Sequence, residues 1–203
     1  MLGRVFCPSP EDLNVSNGAQ AIGRHCRVVR RERRSYGGGR RDPKVKFLRE
    51  QLEKAGCKIT DNFFKSVRCD TPMSGFFCPK SNGGIQVCAN NLRFQDEVTQ
   101  VLIHELIHAY DQCRAKNMDW GNRTHRACTE IRASHLSGDC HFLRELLRGN
   151  FKIIGHEQAC VKRRVVNSMT GTNTNCSKIA ATIAMEVVWD TCYNDTAPFD
   201  KAP

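Results

Sequence analysis

Five consecutive residues, His104-Glu105-Leu106-Ile107-His108, have the types and the spacing of a metal-dependent hydrolytic site. Residues four apart lie on one face of an α-helix, so the imidazoles of His104 and His108 can bind one metal ion. This H-E-x-x-H pattern is typical of zinc metalloproteases. The sequence therefore predicts a catalytic Zn²⁺ held by His104 and His108. Glu105 is predicted to be the general base that activates the attacking water and returns the proton to the leaving amine.

A third zinc ligand is required, and three residues are candidates. Glu130 is favoured because it lies 22 residues beyond His108 on the next predicted helix, as in enzymes where a second helix supplies a carboxylate. His125 is an alternative, since some small metalloproteases use a downstream histidine. Asp111 lies one turn beyond His108 on the same face, and its short side chain is better suited to orienting His108.

Hydrophobic periodicity predicts the elements that position these residues. Helices are predicted at 44–56, 94–114, 124–136, 141–147, 156–169 and 178–191, and short strands at 57–60, 63–68 and 85–89. Because the strands precede most of the helices, the predicted fold class is α+β. We expect a compact zincin-like domain, with a small sheet followed by helices and the metal site on a central helix.

Three local patterns give finer expectations. The sequence Ser74-Gly75 predicts a turn. The alternating residues Ile85 to Ala89 predict an edge strand, to which an extended substrate can add by β-augmentation. In the last helix, the spacing of Ile179, Ile183 and Val187 predicts a buried face.

The positive charge is concentrated at the amino terminus. The chain has 203 residues and a net charge of +10, and its first 44 residues contribute +6 of that charge. Residues 1–43 are predicted to be a disordered Arg/Gly-rich leader, suited to nucleic acid or anionic lipid, and residues 44–203 a zinc metallopeptidase domain. No uncharged apolar run approaches the roughly 18 residues that predict a membrane span.

Twelve cysteines are dispersed along the chain, ten of them in the predicted domain. None forms a C-x-x-C pair, which disfavours zinc ribbons and thioredoxin-type motifs. An even number of dispersed cysteines predicts a disulfide framework and therefore an oxidising compartment.

Three longer blocks carry a family resemblance: HELIHAYDQCRAKNMDW from residue 104, THRACTEIRASHLSGDCHFLRELLRGNF from 124, and HEQACVKRRVVNSM from 156. Over residues 44–192 the chain resembles the inner membrane protease family of the mitochondrial intermembrane space, which matures and helps assemble an ATP synthase membrane subunit. The resemblance implies zinc at His104 and His108, catalysis by Glu105, oxidative folding, and peripheral attachment to the inner membrane.

Three functions follow as hypotheses. The first is a zinc endopeptidase that processes a precursor of an ATP synthase membrane subunit and assists assembly of the Fo part. The second is an assembly factor that binds the same partner without cleaving it. The third, a protease associated with DNA repair, rests only on the basic leader, and nucleic acid is disfavoured because no nucleic-acid-binding fold accompanies the charge.

Overall fold

The computed structural model describes residues 39–79, 84–171 and 176–202. Within them the secondary structure is α+β, as predicted, and the predicted leader lies largely outside the described residues. The helices are α1 (Pro43–Lys54), α2 (Gln95–Arg114), α3 (Arg123–Leu136), α4 (Phe142–Leu147), α5 (His156–Gly171) and α6 (Lys178–Tyr193). The strands are β1 (Phe64–Val67), β2 (Gly75–Cys78) and β3 (Gly84–Cys88).

These elements fall into two compact units, the first ending at Ala109 and the second beginning at Tyr110. The first unit contains α1, the three-stranded sheet and most of α2. The second contains the last turn of α2 and helices α3 to α6. Among the described residues, no helix has both the length and the apolar character that a bilayer span requires.

The sheet of the first unit has the strand order β1-β3-β2. Strand β1 pairs with β3 in parallel, with Phe64 opposite Ile85, and β2 pairs with β3 antiparallel. The prediction that residues 85–89 form an edge strand is therefore wrong, because both sides of β3 are already hydrogen-bonded. Residues 57–60 form no strand, since β1 and β2 occupy the two positions beside β3.

Strand β2 corrects a second expectation, because Gly75 begins a strand rather than a turn. Glycine is needed here for packing. A Cβ at Gly75 would lie 2.6 Å from Cγ1 of Val101 on α2 and 2.9 Å from the backbone oxygen of Gln86. Because Gly75 has no side chain, the beginning of β2 can lie against α2 at Val101. Ile103, two residues further along α2, is buried.

Hydrogen bonds stabilise the beginning of helix α2, and buried side chains anchor it along its length. The Glu97 carboxylate accepts hydrogen bonds from the backbone N–H groups of Arg93 and Phe94, at 2.6 and 3.1 Å, and satisfies donors that the helix leaves unpaired. Its fully buried side chains include Leu102, Leu106 and Ile107.

The second unit is a helical assembly with its own core. Helix α3 packs against α5 and α6, and α5 packs against α6. Ala127 and Ile131 of α3 are fully buried in this core. Helix α6 contradicts its prediction. Ile179, Ile183 and Val187 are exposed, and its core-facing residues are Ala181, Ala184, Met185 and Cys192.

Disulfide bonds connect elements within each unit. Cys69–Cys88 lies in the first unit, and Cys128–Cys192 and Cys140–Cys160 lie in the second. Cys57, Cys78 and Cys113 are disulfide-bonded as well. The predicted disulfide framework is thus confirmed, with the exception of Cys176, which is a buried free thiol.

Candidate metal centre and family

The two motif histidines face each other on α2. Their Nε2 atoms lie 3.2 Å apart, their ring centroids lie 4.8 Å apart, and the ring planes cross at 80°. Two nitrogens bound to one tetrahedral zinc ion at about 2.0–2.1 Å are separated by about 3.3–3.4 Å. The pair therefore already has almost the separation that a shared metal ion requires.

Burial around the motif differs from residue to residue. His104 is half-buried, whereas Glu105 and His108 are buried. The neighbouring Leu106 and Ile107 point into the core, so their packing fixes the rotation of α2 about its axis. Since side chains four apart share a face, that rotation also fixes the direction in which both imidazoles point.

Among the described residues, Glu130 forms a possible metal-binding group with the two motif histidines. His104, His108 and Glu130 each offer one ligand atom, and these atoms lie within 4.8 Å of one another. The donor set of two imidazoles and one carboxylate is the one that catalytic zinc takes in enzymes such as thermolysin. The residues present therefore suit zinc.

Glu130 is oriented by a residue that sequence reasoning missed. Ser168 on α5 donates a hydrogen bond from Oγ to Oε1 of Glu130 at 2.5 Å. Oriented carboxylate ligands are commonly held by such hydrogen bonds. Nothing in the local sequence indicates the pairing, because the two residues are 38 positions apart.

Asp111, a candidate third ligand, has a different set of partners. Its carboxylate accepts hydrogen bonds from Arg132 Nε at 2.9 Å, from Thr129 Oγ1 at 2.8 Å and from Arg114 Nε at 3.2 Å. Burial raises the pKa of the Asp111 carboxyl, and the two guanidinium groups oppose that change. Because the guanidinium groups and the hydroxyl occupy both of its oxygens, this carboxylate acts as an anchor between α2 and α3.

His125, the other candidate, lies at the beginning of α3. Its Nδ1 accepts a hydrogen bond from the backbone N–H of Asp119 at 3.2 Å, which ties the preceding loop to the helix. The ring also borders a cavity of about 300 Å³ in the second unit, together with Met118, Cys128 and Arg132. The structure thus places His125 in a loop contact, whereas it groups Glu130 with the motif histidines.

Comparison with known proteins places the chain in a family. The family model described as "Peptidase M76 family" matches residues 30–200. The chain belongs to the peptidase M76 family. Members of this family include proteins named mitochondrial inner membrane protease ATP23, to which the chain is similar over most of its length.

Three of these M76 relatives show the extent of the similarity. The Coccidioides immitis protease ATP23 is 41% identical over 161 residues, which cover 78% of this chain and 67% of the relative. The ATP23 homologue of Xenopus laevis is 40% identical, with coverage of 79% and 68%. The human homologue is 39% identical, with coverage of 80% and 65%.

The chain thus spans about two thirds of the length of the curated relatives that it matches. No solved structure shows a significant match to it. The family resemblance predicted from the three sequence blocks is confirmed.

Proposed function

We propose that the protein is a zinc-dependent endopeptidase of the mitochondrial intermembrane space. The observation that carries this proposal is the 3.2 Å separation of the His104 and His108 Nε2 atoms on a helix that also presents Glu105. Membership of a peptidase family supports the same reaction class.

In this proposal His104, His108 and Glu130 hold the zinc ion, and Ser168 keeps the Glu130 carboxylate in place. When bound, zinc acidifies water and polarises the scissile carbonyl. The Glu105 carboxylate accepts a proton from the attacking water and delivers it to the nitrogen of the leaving amine. Its burial at 7% exposure limits competing contacts with bulk solvent.

The proposed location follows from two observations. The relatives are named mitochondrial inner membrane proteases, and the described part of the chain carries a framework of disulfide bonds. Disulfides persist in oxidising compartments and are rare in reducing ones. An intermembrane-space protein attached to the surface of the inner membrane fits both observations.

The proposed substrate is the precursor of an ATP synthase membrane subunit, and the proposal includes a role in assembly of the Fo part. One variant distinguishes the role of the protein in proteolysis from its role in assembly. In cells whose only copy carries Glu105→Gln, the precursor accumulates if the chain is its protease. If the Fo part still assembles while the precursor stays uncleaved, the protein has a binding role in assembly that needs no cleavage.

Metal analysis together with peptide cleavage tests the proposal in vitro. The oxidised full chain is expected to contain about one zinc ion and to cleave an extended peptide taken from the precursor. A chelator should abolish cleavage, and added Zn²⁺ should restore it. His108→Ala should lose both zinc and cleavage, whereas the control His156→Ala should keep both. Cleavage that persists after complete removal of metal would contradict the proposal.

A further inference from the structure

In the part of the chain that the structure describes, the exposed apolar residues are concentrated in one short segment. Ten large hydrophobic side chains are exposed among the described residues, and six of them lie within residues 143–154. These six are Leu143, Leu146, Leu147, Phe151, Ile153 and Ile154. Leu147 and Ile154 are each 88% exposed, so they lie almost entirely in solvent. Apolar exposure concentrated in one segment is typical of an interaction surface.

The segment is firmly attached to the second unit. Glu145 on α4 is buried, and its carboxylate accepts hydrogen bonds from Arg148 at 3.1 Å and from Arg163 on α5 at 2.5 Å. The disulfide Cys140–Cys160 connects the residues just before α4 to α5. The apolar side chains therefore extend from a fixed base.

The charge of the segment indicates which partner it meets. Its only acid is Glu145, which is buried and neutralised by two arginines. Glu145 and the neighbouring Asp139 are paired with three arginines, Arg148, Arg163 and Arg164, so one positive charge is in excess, and the exposed Lys152 adds another. A surface that combines large apolar side chains with Lys and Arg matches the interface of a bilayer that contains anionic lipid.

The exposed face of α6 provides a contrast within the same unit. Ile179, Ile183 and Val187 are also apolar and exposed, but the acids Glu186 and Asp190 are exposed beside them. Lys162 pairs with Glu186 at 2.9 Å, and the exposed Lys178 and Asp190 have opposite charges, so this face has no excess of positive charge and is the poorer match to such a bilayer.

We propose that residues 143–154 are a membrane-docking segment, which inserts its apolar side chains into an anionic bilayer while Lys152 contacts lipid phosphates. This inference rests on the proposed attachment to the inner membrane and assigns that attachment to a specific surface. Docking there holds the protein at the surface of the bilayer through this segment.

Vesicle co-sedimentation of the oxidised full chain tests the proposal. The probes are phosphatidylcholine vesicles with about 30% phosphatidylglycerol and vesicles of phosphatidylcholine alone. The chain is expected to sediment mainly with the anionic vesicles. The triple variant Leu147→Ser, Phe151→Ser, Ile154→Ser should bind them at least about tenfold more weakly. Lys152→Glu should weaken binding to the anionic vesicles about fivefold or more.

The matched control is the triple variant Ile179→Ser, Ile183→Ser, Val187→Ser on α6, whose binding should stay within about twofold of the unsubstituted chain. Equal losses in both triple variants would overturn the assignment. So would an unsubstituted chain that stays in the supernatant with both kinds of vesicle. A dimer that forms in solution and is abolished by substitution of the segment would assign the surface to a second copy instead.

Two further measurements test insertion of the segment directly and separate failure of the docking proposal from failure of the peptidase proposal. Phe151→Trp should shift fluorescence emission to shorter wavelength only with anionic vesicles, and no shift would count against insertion. Cleavage of a soluble peptide is followed on the same samples. Cleavage without vesicle binding would overturn the docking segment alone, whereas vesicle binding without cleavage would overturn the peptidase proposal alone.

Discussion

Ser168 and Glu130, on helices α5 and α3, are joined by a hydrogen bond of 2.5 Å from the serine hydroxyl to the carboxylate. If Glu130 is a zinc ligand, Ser168 restricts the orientations in which its oxygens can face the metal. Ser168→Ala should therefore weaken zinc binding about 10-fold to 100-fold, as loss of a partner of a metal ligand typically does. Competition with a chromophoric chelator measures this affinity.

Thr170→Ala is the control for Ser168→Ala. It also removes a hydroxyl from α5, but the Thr170 hydroxyl donates to the backbone oxygen of Val166 in the same helix. Zinc affinity should be unchanged in this variant. An unchanged affinity in Ser168→Ala would show that Glu130 does not need this hydrogen bond to bind metal.

Substitution of Asp111 distinguishes a structural role of its carboxylate from a role in metal binding. Removal of its charge leaves the buried Arg132 with the Asp195 carboxylate at 2.7 Å as a remaining counter-charge, so the cost should lie near the lower end of the about 3–5 kcal/mol lost when a buried ion pair is broken. Asp111→Asn should lower the free energy of unfolding by about that amount, with the zinc content of the folded protein unchanged. Loss of zinc from a variant of normal stability would identify Asp111 as a ligand after all.

The bond between Cys128 and Cys192 closes a sequence separation of 64 residues in the second unit. Cross-linking limits the conformations of the unfolded chain, so the double variant Cys128→Ser, Cys192→Ser should lose about 2–5 kcal/mol of stability. Chemical unfolding measures the loss. Cys176→Ser is the matched control, since it removes a buried thiol that forms no disulfide.

Glu145 should make stability depend on acidic pH. Burial raises the pKa of its carboxyl, but the hydrogen bonds and charges of Arg163 and Arg148 outweigh burial and lower that pKa below the ordinary value of 4.5. The unfolded chain therefore binds a proton first as the pH falls. The stabilisation is fully present above about pH 4.5 and is lost as the pH falls through the lowered pKa.

Unfolding by denaturant at a series of pH values tests this expectation. Glu145→Gln should be less stable at neutral pH and should show a smaller loss of stability in acid. Glu186→Gln is the control because Glu186 forms an exposed pair with Lys162, and such pairs contribute little. Identical pH profiles for the unsubstituted chain and Glu145→Gln would contradict the assignment.

The predicted secondary structure agrees with the observed one where local periodicity determines it. Helix α2 was predicted at 94–114 and spans Gln95–Arg114, because its apolar residues repeat at helical spacing. The same spacing places His104 and His108 on one face. The chemistry of the motif could therefore be predicted without knowledge of the fold.

Prediction fails where the outcome depends on distant parts of the chain. The order of the strands depends on pairing between Phe64 and Ile85, which no local pattern shows. On α6 the sequence offers more than one apolar face. The small residues Ala181 and Ala184 pack inward, and the larger Ile183 is left outside.

The central claim is that Glu105 activates water at a zinc ion held by the two histidines of α2. The most direct test compares peptide cleavage and bound zinc in Glu105→Gln and in Glu50→Gln, which makes the same change at an exposed site on α1. Glu105→Gln should keep its zinc and its fold and should lose cleavage by about 10² to 10⁴-fold, while Glu50→Gln keeps full activity. Zinc-dependent cleavage that survives in Glu105→Gln at near its original rate would contradict the account.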